Sequence, residues 1–394
     1  MSGGAGMNGE SEKQLSKHIN ALCTKITSRM IGQPGDHASA AYAEAHFRKL
    51  GLRVLDNTMA CVGWDLLATS LRVDGKSVPA IGQMYSPSGT ARAPLVLVES
   101  DLPDRGFRTL KGKAVAVYGN FEPFPDKLMG FARKAERAGA ACVIVIDSDA
   151  ATSATKLIRD RDLKRLPSVS VSLETGFRLA KWEGRQVDLA VKTRRYKSTT
   201  RDVIGVLGHG TREICIEAHR DAAPDTPSAD DNGSGSAVLL ELARLLAGEE
   251  LRHTIRFVSA TAEEFGNVGT PVYARKFASE LKLIDLMINA DCVGGALCPL
   301  RVYVQKDDRI LPLVEKTVRP YPSMKVVKTD RRGYGHIMEY LDGRKVSAVD
   351  VVNIWANARI HTPKDQPSNL SYAKMADAAL FLRDLVVAFD RGAR

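Results

Sequence analysis

The sequence predicts an α/β fold: a mixed central sheet with helices on both faces, carrying a small inserted β-rich domain. Three observations predict it. From residue 202 onward, apolar strand-like runs alternate with helix-length stretches, the order that builds a sheet covered by helices on two sides. From about 75 to 195 the texture changes to short β runs with one helix among them. The 394 residues, 44% of them hydrophobic, are enough for a substantial core and for two domains. The expected division assigns 11–72 and 197–394 to the main domain and 73–196 to the insertion.

Taken in order, residues 11–31 and 37–51 read as helices; in the first, Leu15, Ile19, Leu22 and Ile26 recur every three or four positions. Alternation around Leu52–Ala60 and Leu66–Val73 reads as strands. Within the insertion the strands are Pro94–Glu99, Ala114–Tyr118, Ala141–Ile146 and Val169–Ser172, and the one helix, Pro125–Ala138, ends at Gly139. Two charged segments, Asp147–Arg165 and Thr193–Arg201, read as loops. Beyond them strands are expected near Val203–Leu207, Glu213–Ala218, Thr254–Ala260, Leu283–Ala290, Arg301–Gln305 and Ala348–Ile354. Helices are expected at Ser234–Ala247, Pro271–Leu281, Ile310–Val318 and Tyr372–Phe389.

Composition excludes several classes of function. The net charge of +10 is spread over the chain, as in Arg159, Arg161, Lys164 and Arg165 with acids between them, and no nucleic-acid motif accompanies it. A solvated basic face is the better reading, and no nucleic-acid partner is expected. The longest apolar runs, such as Ala140–Ile146, are too short to cross a bilayer, so no membrane partner is expected either. The Gly- and Ser-rich start, MSGGAGMNGE, is followed by no apolar signal segment, and the six cysteines form no CxxC pair. Both point to a reducing, cytoplasmic home, with secretion left open if a signal has been removed.

The chemistry gathers at strand ends, where open α/β sheets place their sites. Strand Glu213–Ala218 runs into His219-Arg220-Asp221. A single His there is more often structural than a ligand, but a carboxylate two residues on suits a partner that fixes the ring's tautomer. Asp230-Asp231-Asn232-Gly233 opens a helix; this is a common N-cap pattern, and also a pair of acids suited to bridging two metals. Glu263-Glu264 follows strand Thr254–Ala260, where adjacent acids repel unless a cation or proton separates them. Asp291 emerges from an apolar strand and needs a partner, and His361 follows the last strand. Each motif is weak alone. Together, His219, Asp231, Glu264, Asp291 and His361 make an imidazole-and-carboxylate set suited to zinc, with Glu263 to spare.

In EAHRD (217–221), SADDNGSGSA (228–237), SATAEEFGNVGT (259–270), INADCVGG (288–295) and ARIHTPKD (358–365) the sequence resembles the co-catalytic two-zinc exopeptidases, the family of bacterial leucyl aminopeptidases and glutamate carboxypeptidase. The insertion resembles a protease-associated domain through LKGKAVAVYGN (110–120), FARKAERAGAACVIVID (131–147) and LPSVSVS (166–172). The resemblance implies two zinc ions per chain, one with His219 and Asp291 as its terminal ligands, the other with Glu264 and His361, and Asp231 between them. It implies Glu263 as general base, Asp221 as the partner of His219, and an aminopeptidase acting on the N-terminal residue of peptides.

Departures from the family fall at Arg220 and Ala222, and at a Ser-Asp-His turn that here reads Tyr334-Gly335-His336-Ile337. Tyr334 and His336 are candidates for contact with substrate or oxyanion. A carboxypeptidase of the glutamate carboxypeptidase type is the alternative, with Arg159, Arg161 and Arg165 reading a substrate carboxylate. A glutaminyl cyclase, which keeps one zinc, and a receptor-like homologue without metal ligands fit less well, because all five ligand positions are filled. The oligomeric state stays open, a homo-oligomer included.

Overall fold

The computed structural model describes residues 2–26, 28–118, 125–148, 152–330, 337–341, 346–353 and 359–392. The chain divides into two compact units: Met1–Cys61 with Ser198–Ala222 and Thr226–Arg394, and Val62–Lys197 with Ala223–Asp225.

In the first unit the amino-terminal periodicity becomes the helix Ser2–Asn20, prolonged by a wider turn at Ala21–Lys25, and the helix Pro34–Lys49. Pro34 stands in the first turn of its helix, where a missing N–H costs nothing. The sheet runs in the order Met324–Thr329, Leu300–Gln305, Ser347–Val352, Ile284–Asp291, Glu213–His219, Thr254–Ala260 and the end of Gln186–Leu207. Four of these, Ser347–Val352 through Thr254–Ala260, are neighbouring parallel strands, with antiparallel partners on either side. Glu213–His219 and Thr254–Ala260 are buried along their whole length, which is why they read as nearly unbroken apolar runs.

Residues two apart on a strand share a face, and adjacent residues feed opposite cores. Ile214, Ile216 and Ala218 face a large core with Leu15, Ile19, Phe47, Leu242 and Phe381 of the covering helices. Cys215, Val258 and Met287 face a smaller one with Tyr273 and Met338. Helices thus cover both faces, as the alternating pattern predicts.

The second unit has its own sheet: Gly89–Glu99, Ala114–Tyr118, Cys142–Ile146 and Ser168–Val171 lie parallel, flanked antiparallel by Gln186–Leu207 and by Ile81–Gly82. Helix Pro125–Ala138 seals one face through Leu128, Phe131 and Ala135. Helix Leu173–Ala180 lies on the other through Leu179. This second helix escapes periodicity because it is short, although Ser172 caps it by accepting the Thr175 N–H at 3.3 Å.

One expectation is corrected. Thr193–Arg201 is not a loop but part of the strand Gln186–Leu207. From Lys192 to Thr199 every side chain is exposed or half-buried, so the segment lacks the alternation by which a strand is recognised. Among the described residues no helix is long and apolar enough to cross a membrane.

Packing of the first helix has a consequence that titration can read. His18 is only 4% exposed; its Nδ1 lies 2.8 Å from the Tyr42 hydroxyl and its ring meets that of His46 edge-on at 4.8 Å. Burial, and then the nearby charges of His46, Lys17 and Arg244, push His18 down from 6.5 to about 3. The fold therefore favours the neutral ring. That contribution is complete above pH 6.5 and is lost as the pH falls from 6.5 toward 3. Urea unfolding between pH 6 and pH 4 should show stability falling on acidification, with His18 adding a slope of up to about 1.4 kcal/mol per pH unit. His18→Gln should flatten that slope; an unchanged slope would refute the assignment.

Candidate metal centre

The four parallel strands end side by side; two close on an acid or imidazole, a third is followed by one within four residues, and the fourth leads to His361 nine residues on. His219 closes its strand, opposite Ala260 in register, and Asp291 closes the next, opposite Val352. Glu263 and Glu264 follow Ala260, and His361 lies beyond the fourth strand. Asp231 comes from the turn Ala229–Ser234 that leads into helix Gly235–Leu246. Gly235 sits so close to the sheet that a Cβ there would meet the Ala290 carbonyl oxygen at 2.2 Å, which accounts for one glycine of the GSG turn. Asn232 adds a direct brace: its amide donates to Ala290 O at 2.9 Å, and its Oδ1 accepts from the N–H of Gly235 at 2.8 Å and of Cys292 at 3.3 Å. Asp291 is thus held from both sides. The backbone is unusual here, with Ser228, Ala262, Cys292 and His361 all at positive φ, between 46° and 67°. Non-glycine residues hold that conformation only where surrounding structure enforces it, and they cluster at functional sites.

The side chains converge as two triads that share one carboxylate. His219, Asp231 and Asp291 form one, and Asp231, Glu264 and His361 the other, with the donor atoms of each triad all within 4.8 Å of one another. His219 Nε2 stands 3.2 Å from Asp231 Oδ1 and 3.5 Å from Asp291 Oδ1. His361 Nε2 stands 2.7 Å from Asp231 Oδ2 and 3.5 Å from Glu264 Oε2. Nitrogen and oxygen ligands of a tetrahedral zinc stand roughly 3.3–3.6 Å apart; the two 3.5 Å spacings fall in that range and the 3.2 Å one lies just below it. Both ring nitrogens of His219 and Oδ1 of Asp291 are buried and make no contact with hydrogen-bond geometry. Such atoms are costly unless a cation meets them, and the donor set fits zinc.

Electrostatics agree. Burial alone would depress His219, but Asp291, Asp221 and Asp231 hold the ring well above its usual range. Burial would raise Asp231, but His219 and His361 hold it well below. Asp291 is raised, by burial first and then by Asp231 and Glu263. These opposed shifts arise from acids and imidazoles crowded together in a buried site, a crowding that a bound cation would relieve.

Asp221, fully buried, ties the cluster together. Its Oδ1 lies 3.5 Å from His219 Nδ1 and accepts from the Glu263 N–H at 3.3 Å, while Oδ2 accepts from the Glu264 N–H at 3.0 Å. The sequence places Asp221 beside His219; its grip on both glutamates emerges only from the fold. Glu264 is fully buried whereas Glu263 is half-exposed.

Arg220, an apparent departure, belongs to neither triad. Its guanidinium is buried against Asp36 at 3.0 Å and the carbonyls of Arg201 and Ser259. Arg29 is a second buried guanidinium, donating to the carbonyls of Leu22, Pro227, Ser228 and Arg220 at 2.8–2.9 Å. Sequence reading missed Arg29, since an Arg in a helix-adjacent turn carries no signal of burial. It also missed Asp365, which accepts from the backbone of Asp230 and Asp231 and which burial, then the charge of Asp230, pushes up to about 7.

Tyr334 and His336 lie outside the described residues; Ile337, just beyond, donates its N–H to the buried carboxylate of Glu217 at 2.8 Å. In the second unit Arg161 and Arg165 are exposed and Arg159 is half-buried.

The family model of Peptidase family M28 matches residues 202–386, the stretch that carries every triad member. Aminopeptidase YwaD of Bacillus subtilis (strain 168) is 28% identical over 306 residues, covering 72% of this chain and 64% of that protein. A probable lipoprotein aminopeptidase, LpqL of Mycobacterium tuberculosis, is 30% identical over 315 residues, covering 76% and 61%. The chain therefore spans less than two thirds of the length of these curated relatives. In fold it resembles BSAP, a zinc aminopeptidase from Bacillus subtilis, with a TM-score of 0.78 at 23% identity over 97% of this chain and 96% of that one.

Proposed function

We propose that the chain is a zinc aminopeptidase of peptidase family M28, whose two triads hold one zinc ion each and share Asp231. The observation that carries this reading is the sharing itself: one buried carboxylate with its two oxygens turned to two different imidazoles. In this reading His219 and Asp291 complete one site, and Glu264 and His361 the other. When bound, the ions supply a water acidified toward neutrality and positive charge against the polarised carbonyl of the scissile bond. Glu263 takes a proton from the attacking water and returns it to the leaving amine, a task suited to a half-exposed carboxylate with open access to substrate. Asp221 orients His219 and anchors the Glu263 backbone, so the base and a ligand keep a fixed separation. The second unit is taken as the inserted protease-associated-type domain, and a cytoplasmic location belongs to the same reading.

Preference for the amino end rests on the two curated relatives named as aminopeptidases. Dipeptides blocked at one end decide it. A carboxy-amidated dipeptide should be cleaved and its N-acetylated counterpart left intact, with activity lost to a chelator and restored by zinc. Cleavage of the N-acetylated, free-carboxylate peptide alone would make the enzyme a carboxypeptidase instead.

A further inference from the structure

The segment that supplies His361 also supplies, four residues later, a carboxylate the reaction does not use. Asp365 is fully buried. Its Oδ1 accepts the Asp230 N–H and its Oδ2 the Asp231 N–H, each at 3.0 Å, while its main-chain carbonyl accepts the Ala229 N–H at 3.2 Å. Three consecutive peptide groups of the turn bearing the shared carboxylate thus end on one residue. The neighbouring Asp230 extends the connection: its Oδ1 accepts the Gly294 N–H at 2.8 Å, three residues past Asp291. The loops carrying His361, Asp231 and Asp291 are therefore joined beneath the triads through Asp365 and Asp230.

Two features single out Asp365 from ordinary loop fastening. The turn it holds is not regular: Asp231 and Asn232 have non-helical backbone angles inside it, so helix hydrogen bonds alone do not set its course. And the group it aims, the Asp231 carboxylate, is the one member common to both triads. We propose that Asp365 is a positioning residue for the shared carboxylate, setting the affinity of both metal sites at once; this rests on the two-zinc reading above. A residue that merely steadied the His361 segment would affect one site.

The experiment measures stepwise zinc affinity of the full chain by competition with a chromophoric chelator, for wild type, Asp365→Asn, Asp365→Glu and His361→Ala. Asparagine keeps the shape but replaces one acceptor by a donor facing an N–H. The wild type should bind two ions. Asp365→Asn should lower both affinities together, by about 10- to 100-fold each, the usual effect of losing a group that orients a ligand. Asp365→Glu, which retains two acceptors, should recover part of both, and His361→Ala should weaken one site only. Cobalt-substituted Asp365→Asn should show a shifted visible spectrum, which a loss of fold stability alone would not cause. Two wild-type affinities in either Asp365 variant, or a loss confined to one site, would overturn the inference. If Asp365→Asn does not fold, Asp365→Glu decides by the same criterion. A wild-type chain that binds fewer than two ions overturns the two-zinc reading itself.

Discussion

Glu263→Gln should lower kcat by about 10²- to 10⁴-fold, the usual worth of a positioned general base, while zinc content and KM stay near wild type. Two adjacent glutamates leave the same strand, and their surroundings divide the labour between them. Glu264 is fully buried, with Oε2 3.5 Å from His361 Nε2, whereas Glu263 is half-exposed. Their backbone N–H groups are both held by Asp221, so exchanging the Glu263 carboxylate for an amide leaves the ligand scaffold in place. The amide cannot take up a proton at neutral pH, and the loss belongs to the chemical step. Steady-state kinetics with metal analysis on the same preparation tests it. Near wild-type turnover at full zinc content would remove Glu263 from the mechanism, and loss of zinc would make it a ligand.

Asp231→Ala should have the largest effect on metal binding of any single substitution. Each Asp231 oxygen faces a different imidazole, so removal of this side chain strips both triads of a member. The affinity of both sites should fall by well over the roughly 100-fold that marks the loss of a supporting partner alone. Activity at ordinary zinc concentrations should be lost with it. Asp291→Ala and His361→Ala should each weaken one site and leave the other measurable. Zinc-to-protein ratios after dialysis against graded free zinc separate these patterns. One ion retained at wild-type affinity in Asp231→Ala would show that the carboxylate is not shared.

Much of the fold was legible because burial and chain direction left plain marks. The central parallel strands are buried on both faces, so Glu213–His219 and Thr254–Ala260 stand out as nearly unbroken apolar runs. The polar residues breaking those runs at their carboxyl ends are the ones the fold brings together. Legibility failed where the backbone, not the side chains, carries the structure. Lys192–Thr199 pairs as strand while exposing its side chains, and so resembles a charged loop. It failed again where burial is decided by distant partners. Arg220 looks like a surface charge beside a ligand until Asp36, from the second helix, is found against it. Asp365 closes a motif whose histidine draws the attention, and its role depends on a turn 134 residues earlier.

Those long separations bear on how the protein is made. The carbonyls of Pro227 and Ser228 that Arg29 gathers are synthesised almost 200 residues after it, and the turn they precede waits for Asp365. At about 5–20 residues per second, the shared carboxylate exists for roughly 7–27 s before its clamp emerges from translation. A nascent chain ending before His361 carries four of the five candidate zinc donors, and it lacks both the remaining imidazole and the residue that holds the Asp231 turn. On the two-zinc reading, tight metal binding is expected only after the carboxyl-terminal segment has docked.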